Sequence, residues 1–110
     1  MEWQHLKEQG NLKFNQGAYE EADLLYTSAL DRLDDNDSEG KLSLLLNKCF
    51  CNIKQQRFWE ACSVALLCLH LDEFNAKGYF RLASALVGAG CFKIAVEVID
   101  VASAIARYVL

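Results

Sequence analysis

The segment Gly17-Ala18-Tyr19-Glu20-Glu21-Ala22 returns twice in this chain, as Gln56-Arg57-Phe58-Trp59-Glu60-Ala61 and as Gly90-Cys91-Phe92-Lys93-Ile94-Ala95. In each copy an aromatic residue is followed three positions later by alanine. Seven positions after that alanine comes another small residue: Ala29, Cys68 and Ala102. The alanines of the second and third copies are 34 residues apart, and those of the first and second are 39 apart. A fixed period of this length indicates stacked structural repeats.

We therefore place three repeats at residues 3–36, 42–75 and 76–109 of a single domain. The five extra residues between the first two copies, Asp37 to Lys41, belong to the acidic stretch that runs from Asp34 to Gly40. Asp, Asn, Ser and Gly compete with helical backbone hydrogen bonds, so this stretch predicts a turn.

The apolar spacing within each copy is helical and predicts two helices per repeat. The chain has no proline, and a glycine at position 17 is expected to end the first helix. The fold class is therefore all-α, with six antiparallel helices stacked as helix pairs in a right-handed superhelix. The predicted helices cover residues 2–16, 19–33, 41–55, 58–71, 75–89 and 92–109.

Composition excludes several classes of function. A formal charge of −4 over 110 residues argues against general nucleic-acid binding. No apolar run reaches the roughly 18 residues of a membrane span, and the first residues do not resemble a signal peptide. An odd number of cysteines favours reduced, packed thiols in the cytoplasm or nucleus. They are Cys49, Cys51, Cys62, Cys68 and Cys91.

Five polar side chains recur at matched places in the three repeats. Lys7 and Asn11 are four residues apart, as are Lys77 and Arg81, so each pair shares one face of a helix. Asn47 lies 34 residues before Arg81 and therefore has the equivalent place on the preceding repeat. Ammonium, guanidinium and amide donors together suit an acidic peptide, since charge-assisted hydrogen bonds to carboxylates are strong.

The 34-residue period with its small-aromatic-small spacing resembles the tetratricopeptide repeat over nearly the whole chain. The chain departs from the family pattern in lacking the proline that often ends a repeat. Gln9 and Lys48 also replace a large apolar residue that is frequent in the first helix of a repeat. The resemblance implies that the first helices of the three repeats line a concave face, which would collect the five polar side chains in one groove.

Those five residues also match a functional pattern of the family. Chaperone-binding tetratricopeptide domains have Lys-x-x-x-Asn, Asn and Lys-x-x-x-Arg on the first helices of successive repeats, as a carboxylate clamp. The resemblance implies that Lys7, Asn11, Asn47, Lys77 and Arg81 hold the C-terminal Glu-Glu-Val-Asp tail of a 70 or 90 kDa heat-shock chaperone. The chain would then be a non-enzymatic co-chaperone adaptor, with no metal or cofactor. The alternative is a scaffold whose groove holds an internal segment or a non-chaperone partner. A further alternative is that the basic residues are only solvated.

Two further sets of residues keep alternative interpretations open. An apolar seat for the valine of the tail, or ordinary core packing, would use Phe14, Phe50, Ile53, Phe80 and Val87. The last predicted helix is apolar nearly all round, although a terminal repeat needs a polar outer face. Either the chain is part of a larger protein that covers this helix, or the helix associates with a second copy.

Overall fold

Residues 2–108, which the computed structural model describes, form six α-helices connected by short turns. Consecutive helices pack against each other, and α3 also contacts α5 across the intervening helix. The all-α prediction is confirmed, and its boundaries agree within one residue for every helix but the third. The predicted end of the last helix at Val109 lies outside the described residues. The helices are Glu2–Asn15 (α1), Tyr19–Arg32 (α2), Ser38–Lys54 (α3), Phe58–Leu71 (α4), Ala76–Gly88 (α5) and Phe92–Tyr108 (α6).

The third helix begins three residues earlier than predicted. The side chain of Asp37 accepts a hydrogen bond of 2.8 Å from the backbone N–H of Gly40 and so caps the N-terminus of α3. The predicted turn through Gly40 is therefore wrong for residues 38–40. Aspartate favours both turns and helix starts, and here the turn is limited to the residues around Asp34, whose carboxylate accepts from the N–H of Asn36. The extra residues thus lengthen α3.

The turn inside each helix pair has the same conformation in all three repeats. Gly17 and Gly90 have positive φ angles of 79° and 84°, and Gln56 has the equivalent place with φ 61°. A left-handed residue at this point redirects the chain after the first helix, which is the usual role of glycine. Glycine at two of the three places therefore follows from backbone sterics, while Gln56 adopts a conformation that costs roughly 1 kcal/mol in a residue with a Cβ.

Small residues of the repeat motif lie at the centre of the packing between helices. These six side chains are at most 1% exposed: Ala22, Ala29, Ala61, Cys68, Ala95 and Ala102. Alanine and cysteine occupy little volume, so neighbouring helix backbones approach closely along this line. The buried residues form two core clusters, and helix α3 packs into both. It contributes Leu44 and Cys51 to the first cluster, which includes Tyr26. It contributes Leu45 and Cys49 to the second. It is the central element of the fold.

Lys48 has a structural role that explains its presence at a usually apolar position. Its Nζ lies 2.6 Å from Asp23 Oδ1 and 2.9 Å from the hydroxyl of Thr27, and both partners lie on α2. Asp23 is only 8% exposed. A carboxylate this buried needs a partner, so the Asp23–Lys48 pair fixes α2 against α3.

Helix α6 is apolar over a wide arc, but it is not apolar all round. Ala95, Ala102 and Ile105 are buried against the preceding helix. A polar stripe along the helix carries Lys93, Glu97, Asp100 and Arg107, all of them exposed. Between the stripe and the buried face, six large apolar side chains remain exposed: Phe92, Ile94, Val96, Ile99, Val101 and Tyr108. Within residues 2–108, no helix has the length and apolar character needed to cross a membrane.

The five thiols are unoxidised, and four of them are buried. Burial is the main cause that raises the pKa of Cys49 and of Cys51 to about 12 and that of Cys68 to about 11. The Sγ of Cys49 donates to the carbonyl oxygen of Ala61 at 3.3 Å, as expected for a protonated thiol. Cys49, Cys51 and Cys68 are therefore packing residues whose thiols do not ionise at neutral pH.

The buried thiols predict alkaline destabilisation. An exposed cysteine has a pKa near 9.0, so above that pH the unfolded chain loses protons that the native state retains. Since the native state then binds more protons, the free energy of unfolding must fall as pH rises. We expect a plateau below about pH 8 and a loss above pH 9 of about 1.4 kcal/mol per pH unit for each buried thiol. Denaturant titrations of wild type and of Cys49→Ala/Cys68→Ala measure this slope, which must be shallower in the variant; equal slopes would contradict the assignment.

Candidate functional site

The five polar residues singled out in the sequence lie on the first helices of the three pairs. Lys7 and Asn11 are on α1, Asn47 is on α3, and Lys77 and Arg81 are on α5. We call this set the clamp face. Contacts and shared cavities connect its members through α3, whose residues Ser43, Asn47 and Phe50 lie on one side of the helix.

Lys7 and Lys77 are related through Ser43 of α3. The Nζ of Lys7 donates a hydrogen bond of 2.7 Å to the hydroxyl of Ser43. Ser43 and Lys77 both line a cleft of about 420 Å³, together with the apolar side chain of Leu46. Lys7 therefore contacts a residue of the cleft that Lys77 lines, and Glu39 and Asp72 line the same cleft. Sequence reasoning missed Ser43, although its position four residues before Asn47 predicted that it shares a helix face with that residue.

Asn11 and Asn47 line a second pocket, of about 270 Å³, which also includes the rings of Phe14 and Phe50. The hydroxyl of Tyr26, at the back of this pocket, donates to Oδ1 of Asn11 at 2.5 Å. Because a phenol hydroxyl at this contact fixes the amide oxygen, the NH₂ group of Asn11 is left to donate to a ligand. The pocket can thus offer amide donors from two helices to a carboxylate.

Tyr26 is suited to orient Asn11, because it is buried and remains protonated. It is 2% exposed, and burial, with a smaller contribution from the nearby Cys51, raises its pKa to about 12. Its ring fits against α1 only because residue 10 is glycine. A Cβ added to Gly10 would lie 2.6 Å from Cε1 of Tyr26. The Gly10-Asn11 pair therefore combines the space for the ring with the amide that the ring orients.

Arg81 is held in place by the ring of Phe50. Its guanidinium carbon lies 4.2 Å from the ring centroid, a cation–π contact. The Phe50 ring also lies 5.0 Å from that of Phe14, so it connects Arg81 to the pocket of the two asparagines. The Nε of Arg81 is buried and has no hydrogen-bond partner within residues 2–108. The guanidinium is thus packed on one side, and its terminal NH₂ groups are the donors that a carboxylate could use.

The structure separates the residues considered for the apolar seat. Phe14 and Phe50 line the asparagine pocket, whereas Ile53 packs against the second core cluster. Phe80 and Val87 are 42% and 45% exposed. An apolar seat next to the two asparagines therefore has Phe14 and Phe50 as its available walls.

Two lysines near the clamp face differ in their surroundings. Lys13 forms an exposed ion pair of 3.1 Å with Glu21, across the α1–α2 pair. Lys54 instead lies with its Nζ 5.3 Å from the centroid of the Phe50 ring. Lys54 therefore adds a cation next to the clamp face, whereas Lys13 is already paired with Glu21.

Comparison with known proteins agrees with this architecture. The first tetratricopeptide domain of human RPAP3, solved by NMR, superposes with a TM-score of 0.83 at 25% identity, over 97% of this chain and 80% of that one. The chain is a tetratricopeptide repeat domain. The first such domain of Spaghetti (RPAP3), solved with the HSP90 peptide SRMEEVD, has the same TM-score at 24% identity and covers 97% of this chain and 83% of its own. No family model matches this tetratricopeptide domain.

Curated relatives of the domain are larger proteins. The Hsp70/Hsp90 co-chaperone cns1 of Schizosaccharomyces pombe is 31% identical over 101 residues, which cover 91% of this chain and 28% of that protein. The peptidyl-prolyl cis-trans isomerase FKBP4 of Bos taurus is 32% identical over 100 residues, covering 82% of this chain and 22% of that protein. The tetratricopeptide domain thus spans about a quarter of the curated relatives that it matches.

The contact between Gly10 and Tyr26 predicts a coupled pair of substitutions. Gly10→Ala should lower the free energy of unfolding by about 1–3 kcal/mol, because the added methyl group overpacks the buried ring. In a Tyr26→Leu background the ring is gone, so Gly10→Ala should be neutral or favourable through its higher helix propensity. A double-mutant cycle in denaturant measures the coupling. Equal effects of Gly10→Ala in both backgrounds would show that the ring is not what excludes a side chain at position 10.

Proposed function

We propose that this tetratricopeptide domain binds the acidic C-terminal Glu-Glu-Val-Asp tail of a cytosolic 70 or 90 kDa heat-shock chaperone, as a co-chaperone adaptor. The observation that carries the proposal is the clamp face, whose members lie on the first helices of the three pairs and are related through contacts and cavities of α3: Lys7, Asn11, Asn47, Lys77 and Arg81. The domain is not an enzyme in this proposal. We propose that it acts in the cytoplasm or the nucleus.

The properties of similar proteins support this proposal. A domain of the same fold has been solved with an HSP90 peptide that ends in Glu-Glu-Val-Asp. The relative cns1 is named as an Hsp70/Hsp90 co-chaperone. In the larger relatives the matching segment is about a quarter of the protein, so we further propose that this domain is part of a longer chain that it connects to a chaperone.

The chemistry of the clamp face suits a chain end that carries two carboxylates. Lys7 and Lys77 supply compact charges beside the cleft at Ser43, and Arg81 supplies a planar guanidinium. Asn11 and Asn47 donate hydrogen bonds without adding charge repulsion among the three cations. Phe14 and Phe50 provide apolar surface for the valine, and Lys54 is placed to pair with a glutamate further along the tail.

Calorimetry with the peptide Met-Glu-Glu-Val-Asp tests the clamp. We expect amidation of the peptide C-terminus to weaken binding by roughly tenfold or more, since one charge-assisted contact contributes about 1.5–3 kcal/mol. The variant Lys77→Ala/Arg81→Ala should weaken binding of the free peptide more than amidation does, and its remaining affinity should depend less on salt than that of wild type. The matched control is Lys93→Ala/Arg107→Ala, which removes the same charges from the polar stripe of α6.

Two outcomes would count against the proposal. Binding of free and amidated peptides with equal affinity would exclude a clamp for the chain end. An equal loss of affinity in the α5 and α6 variants would show that the net charge of the domain, and not the clamp face, determines peptide binding. In either case, competition by a non-chaperone peptide would favour the alternative function, a scaffold that holds a different partner segment.

We also propose that the domain self-associates through α6. The basis is the six large apolar side chains that remain exposed on both flanks of its polar stripe. Val96→Lys/Val101→Lys should weaken self-association by at least about tenfold, since it places charge in the apolar contact. Ala104→Lys adds the same type of charge on the polar stripe and serves as the control. Sedimentation velocity over a range of concentrations measures the effect, and a monomeric wild type at every concentration would end this proposal.

A further inference from the structure

A leucine-lined cleft lies at the junction of α2, α3 and α4, away from the clamp face. Its volume is about 230 Å³. The floor includes Leu45, which is 5% exposed, and the outer wall includes Leu67, which is 53% exposed. Three more leucines complete the apolar lining: Leu30, Leu33 and Leu71. The cleft is therefore apolar inside and open to solvent on one side.

The cleft depends on the irregular spacing between the first two repeats. Asp34 and Asp35 at its mouth belong to the turn after α2, and Lys41 belongs to the extra first turn of α3. These residues lie in or next to the five-residue insertion at Asp37 to Lys41. The cleft is thus a feature of this chain's own sequence rather than of the 34-residue period.

The mouth of the cleft is mainly acidic. Asp34 and Asp35 line it together with one lysine, Lys41, and His70. Along the chain, Asp31, Asp37 and Glu39 add three negative charges and Arg32 adds one positive charge, so acidic residues remain in excess. A cationic group next to the mouth would be attracted, while an acidic one would be repelled.

The interior determines what part of a ligand can enter. Leucine side chains offer no hydrogen-bond partners, so water inside the cleft is poorly held and an apolar group replaces it favourably. A volume of about 230 Å³ suits one aromatic or branched aliphatic side chain. It is below the roughly 300–1,000 Å³ typical of sites for larger small molecules.

We propose that this cleft is a docking site for a peptide segment of a partner protein, in which one large apolar side chain is flanked by lysine or arginine. The apolar side chain enters between the leucines, and the flanking cations lie against Asp34 and Asp35. This is a second binding site, with a preference opposite in charge to that of the clamp face.

The two sites are on opposite sides of α3. Lys41 and Leu45 line the cleft, whereas Ser43 and Asn47 face the clamp side. Neighbouring members of these two sets are two residues apart, which is roughly 200° around a helix. A peptide in the cleft therefore need not touch any residue of the clamp face, and this proposal does not rest on the proposed function.

The probe for the test is the capped peptide acetyl-Gly-Arg-Phe-Arg-Gly-amide, titrated into the full chain and followed by heteronuclear NMR. Its blocked C-terminus and positive charge make it unsuitable for the clamp face. We expect shifted signals to cluster at the cleft residues. Replacing phenylalanine by alanine in the probe should weaken binding by at least about tenfold, because the apolar contact is lost. Replacing both arginines by glutamate should abolish measurable binding.

Protein variants separate the cleft from its surroundings. Leu67→Gln should weaken binding of the probe severalfold, whereas Leu66→Gln, at a neighbouring residue of α4 that is 56% exposed and does not line the cleft, should leave it unchanged. Asp34→Asn/Asp35→Asn should weaken binding at low salt, and asparagine at position 34 keeps the oxygen that accepts from the N–H of Asn36. The control Glu97→Gln/Asp100→Asn removes two carboxylates from α6.

The same experiment can overturn the proposal. Signals that do not shift, or that shift evenly over the surface, would exclude a site at the cleft. Equal binding of the arginine and glutamate probes, or equal losses with Leu66→Gln and Leu67→Gln, would exclude this mode of recognition. Lys77→Ala/Arg81→Ala should bind the probe like wild type, so failure of the clamp and failure of the cleft are distinguishable.

Discussion

The contact of Gly10 with the ring of Tyr26 links the packing of the fold directly to the candidate site. A glycine at this point lets a large, fully buried side chain of α2 lie directly against the backbone of α1. The same ring contributes to the first core cluster and donates the hydrogen bond that orients Asn11. The packing that stabilises the first helix pair therefore also sets the direction of an amide donor on the clamp face. In this region, stability and recognition depend on one side chain.

Most of the fold could be predicted from the sequence because the repeat imposes the same demands three times. Small residues at Ala22, Ala61 and Ala95 are required wherever two helices approach closely, so their spacing reports the helix pairs directly. The start of α3 could not be predicted in the same way. Asp37 is equally suited to a turn and to a helix cap, and only the hydrogen bond to Gly40 decides between them. Lys48 departs from the family pattern, and its role is not visible in the sequence because its partner Asp23 lies 25 residues away.

Prediction of the site reached the helix faces but not the contacts between them. Spacing of four residues is enough to place Lys77 beside Arg81, and the repeat period relates Arg81 to Asn47. Neither the spacing nor the period indicates which aromatic ring will pack against a guanidinium, so the contact of Arg81 with Phe50 is known only from the structure. The orientation of a side chain likewise depends on its hydrogen-bond partners. Tyr26 orients the amide of Asn11, and Ser43 positions the ammonium group of Lys7. The binding roles of the five residues are predictions, and the structure adds the contacts with Tyr26, Ser43 and Phe50.

The position of α3 explains how a chain with net negative charge could hold the two proposed sites, which prefer ligands of opposite charge. One side of this helix joins the basic and amide side chains of α1 and α5, and the other side closes the leucine cleft below an acidic turn. The helix is also fixed in both core clusters, by Leu44, Leu45, Cys49 and Cys51. A helix anchored on two sides cannot readily rotate to relay a signal, because a rotation would disrupt both clusters. The two sites therefore share a scaffold, and occupation of one should leave the geometry of the other unchanged.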